Sequence, residues 1–584
     1  MEQQLEHKRH TFAHLLAAAV LEQYPHAKVT LGPAIDNGFY YDFDFSGGDA
    51  PGEDDLKSIQ KAMKKQVNKW TEWAHEEVSA DQAREVFAGN QYKLELIDEI
   101  EGTGEAITLY TCGDFTDLCR GGHAENPSKD LDMSAFKLDK IAGAYWRGDE
   151  KNPMLTRIYG LAFETKEELA QYEEQRKQAQ ARDHRKLGKE LGLFTFSDTV
   201  GKGLPLYTAK GSTIRRVLER FIVDEEIKRG YQHVYTPDIA KLDLYKKSGH
   251  YPHYKDSMYA PIEVDDEEFM LRPMTCPHHF ELYSSEPHSH KELPMRIGEL
   301  AKLYRYEQSG ELSGLIRVRS FCLADAHIIC KDEEQAVEQV GEALDLIEYI
   351  AGVFGLKLGE DYRYELALGD RADKEKYYDN DEAWDKGEQL LREHLQSRGC
   401  EFTEEVGEGA FYGPKIDIQM KNVNGKEDTA FTVQYDFCMP DRFDLQYIAE
   451  DGTKKRALVV HRSSIGAIER IMAFLIEHYA GNFPLWLSPS QIAVIPVAEA
   501  HNEYAQNIHQ QLLDAGFRSE IDTTNDSMGK KVRAAKKERL PYFLVLGDKD
   551  IESKTVTVES RDTGESESMS VEELIKKLQE EVTV

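Results

Sequence analysis

The stretch from Glu164 to Glu190, ETKEELAQYEEQRKQAQARDHRKLGKE, is dominated by charged and polar side chains and holds neither glycine nor proline before Gly188. Such a run favours an exposed helix and cannot build a core. It divides the chain, so the segments on either side must fold around cores of their own. Length demands the same, because 584 residues exceed the ~250–300 at which single cores stop growing. Apolar residues make up 40% and charged residues 30%, enough for several cores beneath a charged surface. We expect an α+β multidomain protein with domains at 1–163, 191–486 and 487–584, and a solvated linker helix over 164–190.

The first domain mixes a helical opening from His10 to Tyr24, an aromatic strand from Gly38 to Phe43 and short strands around Ala106 to Tyr110, an α+β pattern. From Leu191 to Trp486 long helices alternate with strand-rich stretches and broad polar loops, which predicts a mixed, mainly antiparallel sheet. The last hundred residues or so form a compact α/β unit. Its strands are predicted at Ile492–Val497, Arg518–Asp522, Tyr542–Leu546 and Thr555–Ser560, and its helices from His501, over Met528–Glu538 and over Val571–Glu581.

Composition narrows function only partly. No apolar run approaches the ~20 residues that span a bilayer, and the opening MEQQLEHKRHTF has no signal-peptide core. We expect a cytoplasmic protein without a membrane partner. Seven cysteines, an odd number without framework spacing, fit a reducing compartment. The net charge of −34 opposes nucleic-acid binding at first sight, since Lys and Arg drive counterion release from phosphates. A large acidic body can still carry local basic patches, so RNA remains open and DNA is not expected.

Chemistry concentrates in the middle domain. YRYE at Tyr304–Glu307, a loop rich in Gly and Ser, and IRVRSF at Ile316–Phe321 read as two short strands around a flexible loop. In a strand Arg317 and Arg319 would face opposite sides, leaving one for any given pocket. An Arg-x-Glu pair alone is commonly a surface ion pair. Two further segments flank it: Gly230 to Asp238 follows a long helix, and GAIER at Gly466–Arg470 opens another.

In this order the three segments resemble the three signature motifs of class II aminoacyl-tRNA synthetases. The resemblance implies an antiparallel-sheet catalytic core in which Arg305 holds the α-phosphate of ATP and Glu307 accepts from the adenine amino group. Arg317 and Arg470 would grip the outer phosphates with Mg²⁺, Phe321 would stack on adenine, and Pro237 would lie at a homodimer interface. Bidentate guanidinium suits phosphate.

Finer stretches, RPMTCPH at Arg272–His278, Asp325 with His327, GEGAFYGPK at Gly407–Lys415, and His461 with Arg462, resemble threonyl-tRNA synthetases. That family implies L-threonine and tRNA(Thr) as partners and one Zn²⁺ per chain, held by Cys276, His327 and His461. Three protein ligands leave zinc open positions for the amine and hydroxyl of threonine. Valine cannot ligate, and a site built for a hydroxyl rejects such an analogue on the order of 10⁴-fold. Asp325 would accept from that hydroxyl, while Tyr412, Lys415 and Gln434 would line the amino-acid and ATP pocket. Leu323 stands where the family usually has glutamine.

Zinc cannot exclude serine, which lacks only a methyl group worth ~1–3 kcal/mol, so a second sieve is needed. His10 and His14 share a helix face at i and i+4, and Cys119 and His123 repeat that offset. By spacing alone these four form a zinc set. They also resemble the editing domain of threonyl- and alanyl-tRNA synthetases, where a polar cleft positions water against mischarged seryl-tRNA. On that reading His10, His14, Lys93, Asp117, Cys119 and His123 act in editing, with Gly122 where proline is common. The flanking segments at Gly32–Asp42 and Ala142–Asp149 match the same domain and serve equally well as turns and core.

The C-terminal domain resembles the anticodon-binding module of class II synthetases, with Asn525, Arg533 and Arg539 available to bases or phosphate and Glu559 where arginine is frequent. Many family members carry a small domain ahead of the editing domain that has no counterpart in this sequence. A catalytically inactive, synthetase-like RNA-binding regulator is the alternative, and Arg305, Glu307, Arg470 and the three zinc positions weigh against it. A prolyl or seryl enzyme would lack that Cys/His set.

Overall fold

The first helix runs over Glu2–Gln23 rather than from His10, in a computed structural model that describes residues 2–582. Its polar opening consists of good helix formers, which extend it ahead of the apolar stripe that marked it in the sequence. Phe12, Leu15, Leu16, Ala19 and Val20 are wholly buried against a sheet. Phe12 stacks between Phe39 and Phe136, with ring centroids 5.6 and 4.8 Å away. The sheet is antiparallel, its main strands ordered Lys28–Val29, Gly38–Asp44, Met154–Ala162, Phe136–Tyr145. A smaller sheet pairs Ala74–Val78, Ile107–Cys112 and Phe115–Leu118. These elements belong to a unit spanning Met1–Lys177; the second spans Gln178–Val584.

The charged stretch is two helices, Lys166–Arg182 and His184–Glu190. Asp183 leaves helical geometry and its carboxylate accepts from the Arg185 N–H, capping the second helix. Neither is wholly solvated: Leu169 and Ala179 in the first and His184 and Leu187 in the second are buried.

The second unit is built on an eight-stranded sheet ordered Gln232–His233, Met295–Tyr304, Ser320–Cys330, Leu458–Ala467, Glu427–Asp436, Lys415–Lys421, Tyr362–Leu368, Phe402–Val406. Only the two outermost pairings are parallel. The strands around the Arg-rich loop are ten and eleven residues long, not short, so Arg305 to Arg319 all fall in the connection between them. The strand alternation expected of Arg317 and Arg319 does not apply there.

Helices Glu333–Val353 and Ile468–His478 cover one face through Val340, Leu344, Ile347, Met472 and Leu475. The helix Ala209–Lys228 is tied to the same core by an ion pair from Arg462 to Glu226 at 2.7 Å. Glu226 also accepts from Ser464 and pairs with His233. Stranding either charge of such a buried pair costs about 3–5 kcal/mol.

The C-terminal sheet is ordered Ser519–Ile521, Ile492–Pro496, Tyr542–Leu546, Val556–Ser560, Ser566–Met569, parallel over its first three strands. The strand Ser566–Met569 and the helix Asp548–Ser553 went unforeseen; both are short, and the strand is exposed and polar without alternation. All seven cysteines are free thiols. Among the described residues no helix is long and apolar enough to cross a membrane.

Candidate functional site

Side chains alternate across a strand. Along Ser320–Cys330 this sends Phe321, Leu323, Asp325 and His327 to an open cavity and Cys322, Ala324, Ala326 and Ile328 into the core. Cross-strand register assembles the rest. His327 pairs with His461, His461 with Gln434, and Gln434 with Lys415, one row across four strands. The next row on the same face is Asp325, Ser463, Thr432 and Asp417. Residues more than a hundred positions apart thus floor one cavity of about 300 Å³.

Cys276, at the start of the helix Cys276–Tyr283, meets this row: ligand atoms of Cys276, His327 and His461 lie within 4.8 Å of one another, all three residues buried. The imidazoles are oriented from behind. Asp436 takes His461 Nε2 at 2.6 Å, leaving Nδ1 free. Glu299 takes His279 Nε2 at 3.2 Å and His279 Nδ1 meets His327 Nδ1 at 2.8 Å, leaving His327 Nε2 with only Asp325 Oδ1, 3.9 Å away. Burial drives His327 towards its neutral form and pushes the Cys276 thiol up, so that the sulfur ionises only against a cation. A buried thiol and two imidazoles with carboxylate-backed orientation fit zinc. Sequence reasoning missed His279, Glu299 and Asp436, whose only mark is proximity in the fold. It also missed His250, whose Nε2 is 3.8 Å from Cys276 Sγ while Ser248 holds its Nδ1 at 2.7 Å. Burial, with His461 and Arg442 next, pushes His250 down to about 3.

Three guanidiniums line the other half of the cavity: Arg305, Arg317 and Arg470. Arg305 lies 5.1 Å from the Phe321 ring centroid, its Nη2 meets Met274 Sδ at 3.4 Å, and its buried Nε has no partner. Among the described residues no carboxylate pairs with it at ion-pair distance. Arg470 donates from Nε to the Ile316 carbonyl at 3.1 Å and from Nη1 to that of Thr429. Burial lowers the Arg470 pKa; nearby Asp428 opposes this, while Arg305 and Arg317 lower it further. Burying the Arg305 and Arg470 guanidiniums side by side costs free energy that an anion in the cavity would offset. Arg317 stands 3.8 Å from Glu307 and 3.7 Å from Glu311. Arg319 instead bonds the Glu307 carbonyl at 3.0 Å and shapes the loop. Across the cavity Lys415 bonds Asp417, Tyr412 donates to Gln434, and the Tyr412 ring stacks on His461 at 4.8 Å. Leu323 joins Ala301, Leu303, Val318 and Phe321 in an apolar wall.

The first unit holds a second cavity, of about 530 Å³, lined by His10, His14, Lys93, Asp117 and Cys119. His10 and His14 touch through Nε2 atoms 3.1 Å apart, and Cys119 Sγ lies 3.6 Å from His10 and 3.3 Å from His123. Asp117 binds Lys93 at 2.5 Å, His14 at 3.1 Å and Tyr41 Oη at 2.6 Å. His123 stacks on Trp73 at 4.0 Å. Tyr41 and Trp73 were not singled out in the sequence, although Tyr41 sits in the flanking segment that reads equally well as core. Gly122 has φ +83°, closed to proline, and its carbonyl meets His10 Nδ1 at 3.1 Å.

Charges here are ordered by the same contacts. Burial pushes the Cys119 thiol up, but hydrogen bonds from His10, His123 and His14 outweigh it and hold it at about 3. Burial likewise opposes charge on His14, yet Asp117 and Cys119 raise it to about 9. Cys119 is then a thiolate at every pH above about 3, whereas an ordinary thiol protonates below ~8.5. Iodoacetamide is therefore expected to alkylate Cys119 at a nearly constant rate from pH 8 to pH 5, read by peptide mass spectrometry, while a reference thiol slows about tenfold per pH unit. Parallel slowing of Cys119 would contradict the thiolate.

The C-terminal residues separate. Arg533 is exposed on the helix Met528–Lys537, and Asn525 edges a small polar cavity with Thr523, Thr524 and Lys531. Arg539 lies just past that helix, as expected, at φ +58°, and lines a different crevice with Leu191, Leu193 and Gly481. The left-handed turn redirects it. Glu559 pairs with Lys536 at 2.8 Å.

Comparison with known proteins adds independent weight. Residues 259–479 match the tRNA synthetase class II core domain (G, H, P, S and T), 491–581 an anticodon binding domain, and 107–159 the threonyl and alanyl tRNA synthetase second additional domain. A threonine–tRNA ligase of Geobacillus sp. (strain WCH70) is 48% identical over all of this chain and 89% of its own length. The Staphylococcus aureus (strain JH9) protein of that name is 46% identical, with the same coverage. The crystal structure of the RNA binding domain of threonyl-tRNA synthetase from Cryptosporidium parvum Iowa II superposes with TM-score 0.65 at 35% identity, covering 68% of this chain and 98% of that one. With both cavities and this likeness along its whole length, the chain belongs to the threonine–tRNA ligase family.

Proposed function

We infer that the chain activates L-threonine with ATP, transfers it to the 3′ end of tRNA(Thr) and hydrolyses mischarged seryl-tRNA(Thr). The observation that carries this is the joining, in one cavity, of three guanidiniums, among which Arg305 has no carboxylate at ion-pair distance among the described residues, to a buried Cys/His/His set. Residues 191–486 carry the synthetic reaction, 1–163 the editing and 487–584 the anticodon contacts, joined through 164–190.

In the synthetic cavity the threonine carboxylate attacks the α-phosphorus of ATP, the bond to the β-phosphate bridge breaks, and pyrophosphate leaves. Arg305 neutralises the α-phosphate, Arg317 and Arg470 hold the departing phosphates, whose charge Mg²⁺ would offset further, and Glu307 and Phe321 take adenine. Lys415, Tyr412 and Gln434 line the amino-acid side. Zinc, held by Cys276, His327 and His461, would supply a Lewis acid that ligates the amine and hydroxyl of threonine. Asp325 accepts from that hydroxyl, and valine, which has the amine but no hydroxyl, loses both hydroxyl contacts. A ribose hydroxyl of the terminal adenosine then attacks the carbonyl carbon and AMP leaves.

Serine passes the first cavity and is removed in the second. There His10, His14, Lys93, Asp117, Cys119 and His123 orient water against the seryl ester, releasing serine and a free tRNA end. Asn525 and Arg533 are the residues best exposed to meet the anticodon. Tyr235 beside Pro237 is 90% exposed, and Ile239, Ile262 and Val264 are also exposed, an apolar surface that supports a homodimer. Seven free thiols suit the cytoplasm.

The deciding experiment is amino-acid-dependent ATP–pyrophosphate exchange with threonine, serine, valine and proline, on protein of measured metal content. We expect one zinc per chain, exchange with threonine, weaker exchange with serine by roughly 10–200-fold, and none with valine above the order of 10⁻⁴. Zinc-loaded protein that fails with threonine overturns the reading.

A further inference from the structure

We propose that His184, just past the bend in the charged stretch, is a positioning residue for the loop that grips ATP. The inference rests on reading the Arg305–Arg319 connection as the ATP loop.

His184 is 2% exposed. Its Nε2 lies 3.1 Å from the Leu315 backbone N–H, which can only donate, so this nitrogen is bare. The ring proton sits on Nδ1 and goes to Glu477 Oε1 at 2.7 Å. The other oxygen of Glu477 accepts from the Val423 N–H at 3.1 Å. Asp183, His184 and Glu477 stand close enough to hold a cation, but both imidazole nitrogens are engaged within the protein, which makes this an anchor.

Glu477 follows Arg470 by seven residues on the helix Ile468–His478, two turns along the same face. One helix therefore fixes two successive loop residues, Leu315 through His184 and Ile316 through Arg470. Gly314 crosses the imidazole so closely that a Cβ would lie 2.1 Å from Nε2, at φ +51°. Arg317 leaves the backbone directly after these two fixed residues. The imidazole thus sets the path from which that guanidinium reaches the cavity.

Three variants separate the contacts. His184→Gln keeps an acceptor within reach of Leu315, His184→Asn keeps a donor for Glu477 only, and His184→Ala keeps neither. In threonine-dependent exchange we expect the KM for ATP to rise about tenfold for Ala and Asn and less than about threefold for Gln. The KM for threonine and the rate of seryl-tRNA hydrolysis should hold. Should Ala fail to fold, the Asn and Gln pair decides. An ATP KM unchanged in all variants overturns the proposal, as does a fall in kcat and both affinities that tracks thermal stability. A wild-type protein without threonine-dependent exchange would instead overturn the functional reading.

Discussion

Arg305→Ala is expected to lower threonine-dependent ATP–pyrophosphate exchange by about 10³-fold, with zinc content and thermal stability close to wild type. The reason is visible in its surroundings. The guanidinium is buried over Phe321, its Nε has no partner, and its Nη2 reaches only a thioether among the described residues. A group held so poorly by the protein contributes little to folding and waits for an anion. On the proposed reading, losing it removes the charge assigned to the reacting phosphate. Arg305→Lys should recover only a small part, because a point charge cannot reproduce the planar fork. The measurement is exchange at saturating ATP and threonine; a loss below about tenfold would place the reacting phosphate elsewhere.

His10→Ala and Cys119→Ala are each expected to slow hydrolysis of seryl-tRNA by about 10²-fold or more, the usual worth of a positioned acid, base or water-orienting group. Threonine activation should be unchanged, since the editing residues line a separate cavity. Steady-state charging with serine would then accumulate seryl-tRNA that wild type does not. Asp117→Asn should behave similarly, because the carboxylate gathers Lys93, His14 and Tyr41 around itself. Unchanged accumulation in these variants would remove the proofreading role from this pocket.

Much of this was legible in the residues alone. The order of motifs resembled the class, and the stretches around Cys276, His327 and His461 resembled the threonyl family, which implied those three as ligands before any geometry was known. The i, i+4 offsets of His10 with His14 and Cys119 with His123 do converge, the first pair on one helix and the second on a loop bent at Gly121 and Gly122. What stayed hidden depended on partners that local pattern does not encode. His279 and Glu299 orient His327 through a relay between elements, and His184 looks like one more charged residue in a solvated run. Arg539 follows its helix as expected, but its own left-handed backbone and its place in a crevice away from Asn525 are not encoded in the local pattern. The long strands around Arg305 were read as short because the loop interrupts their apolar pattern near one end.

The row of His327, His461, Gln434 and Lys415 across four strands has a consequence for how such a chain can change over time. Strand residues alternate faces, so deleting or inserting one residue within any of these strands would send its functional side chain into the core and a core side chain into solvent. Connections between the strands carry no such parity. Length variation in this lineage is therefore free to accumulate in the turns, while the strands themselves are locked in phase, and the site can be retuned by substitution but not by slippage.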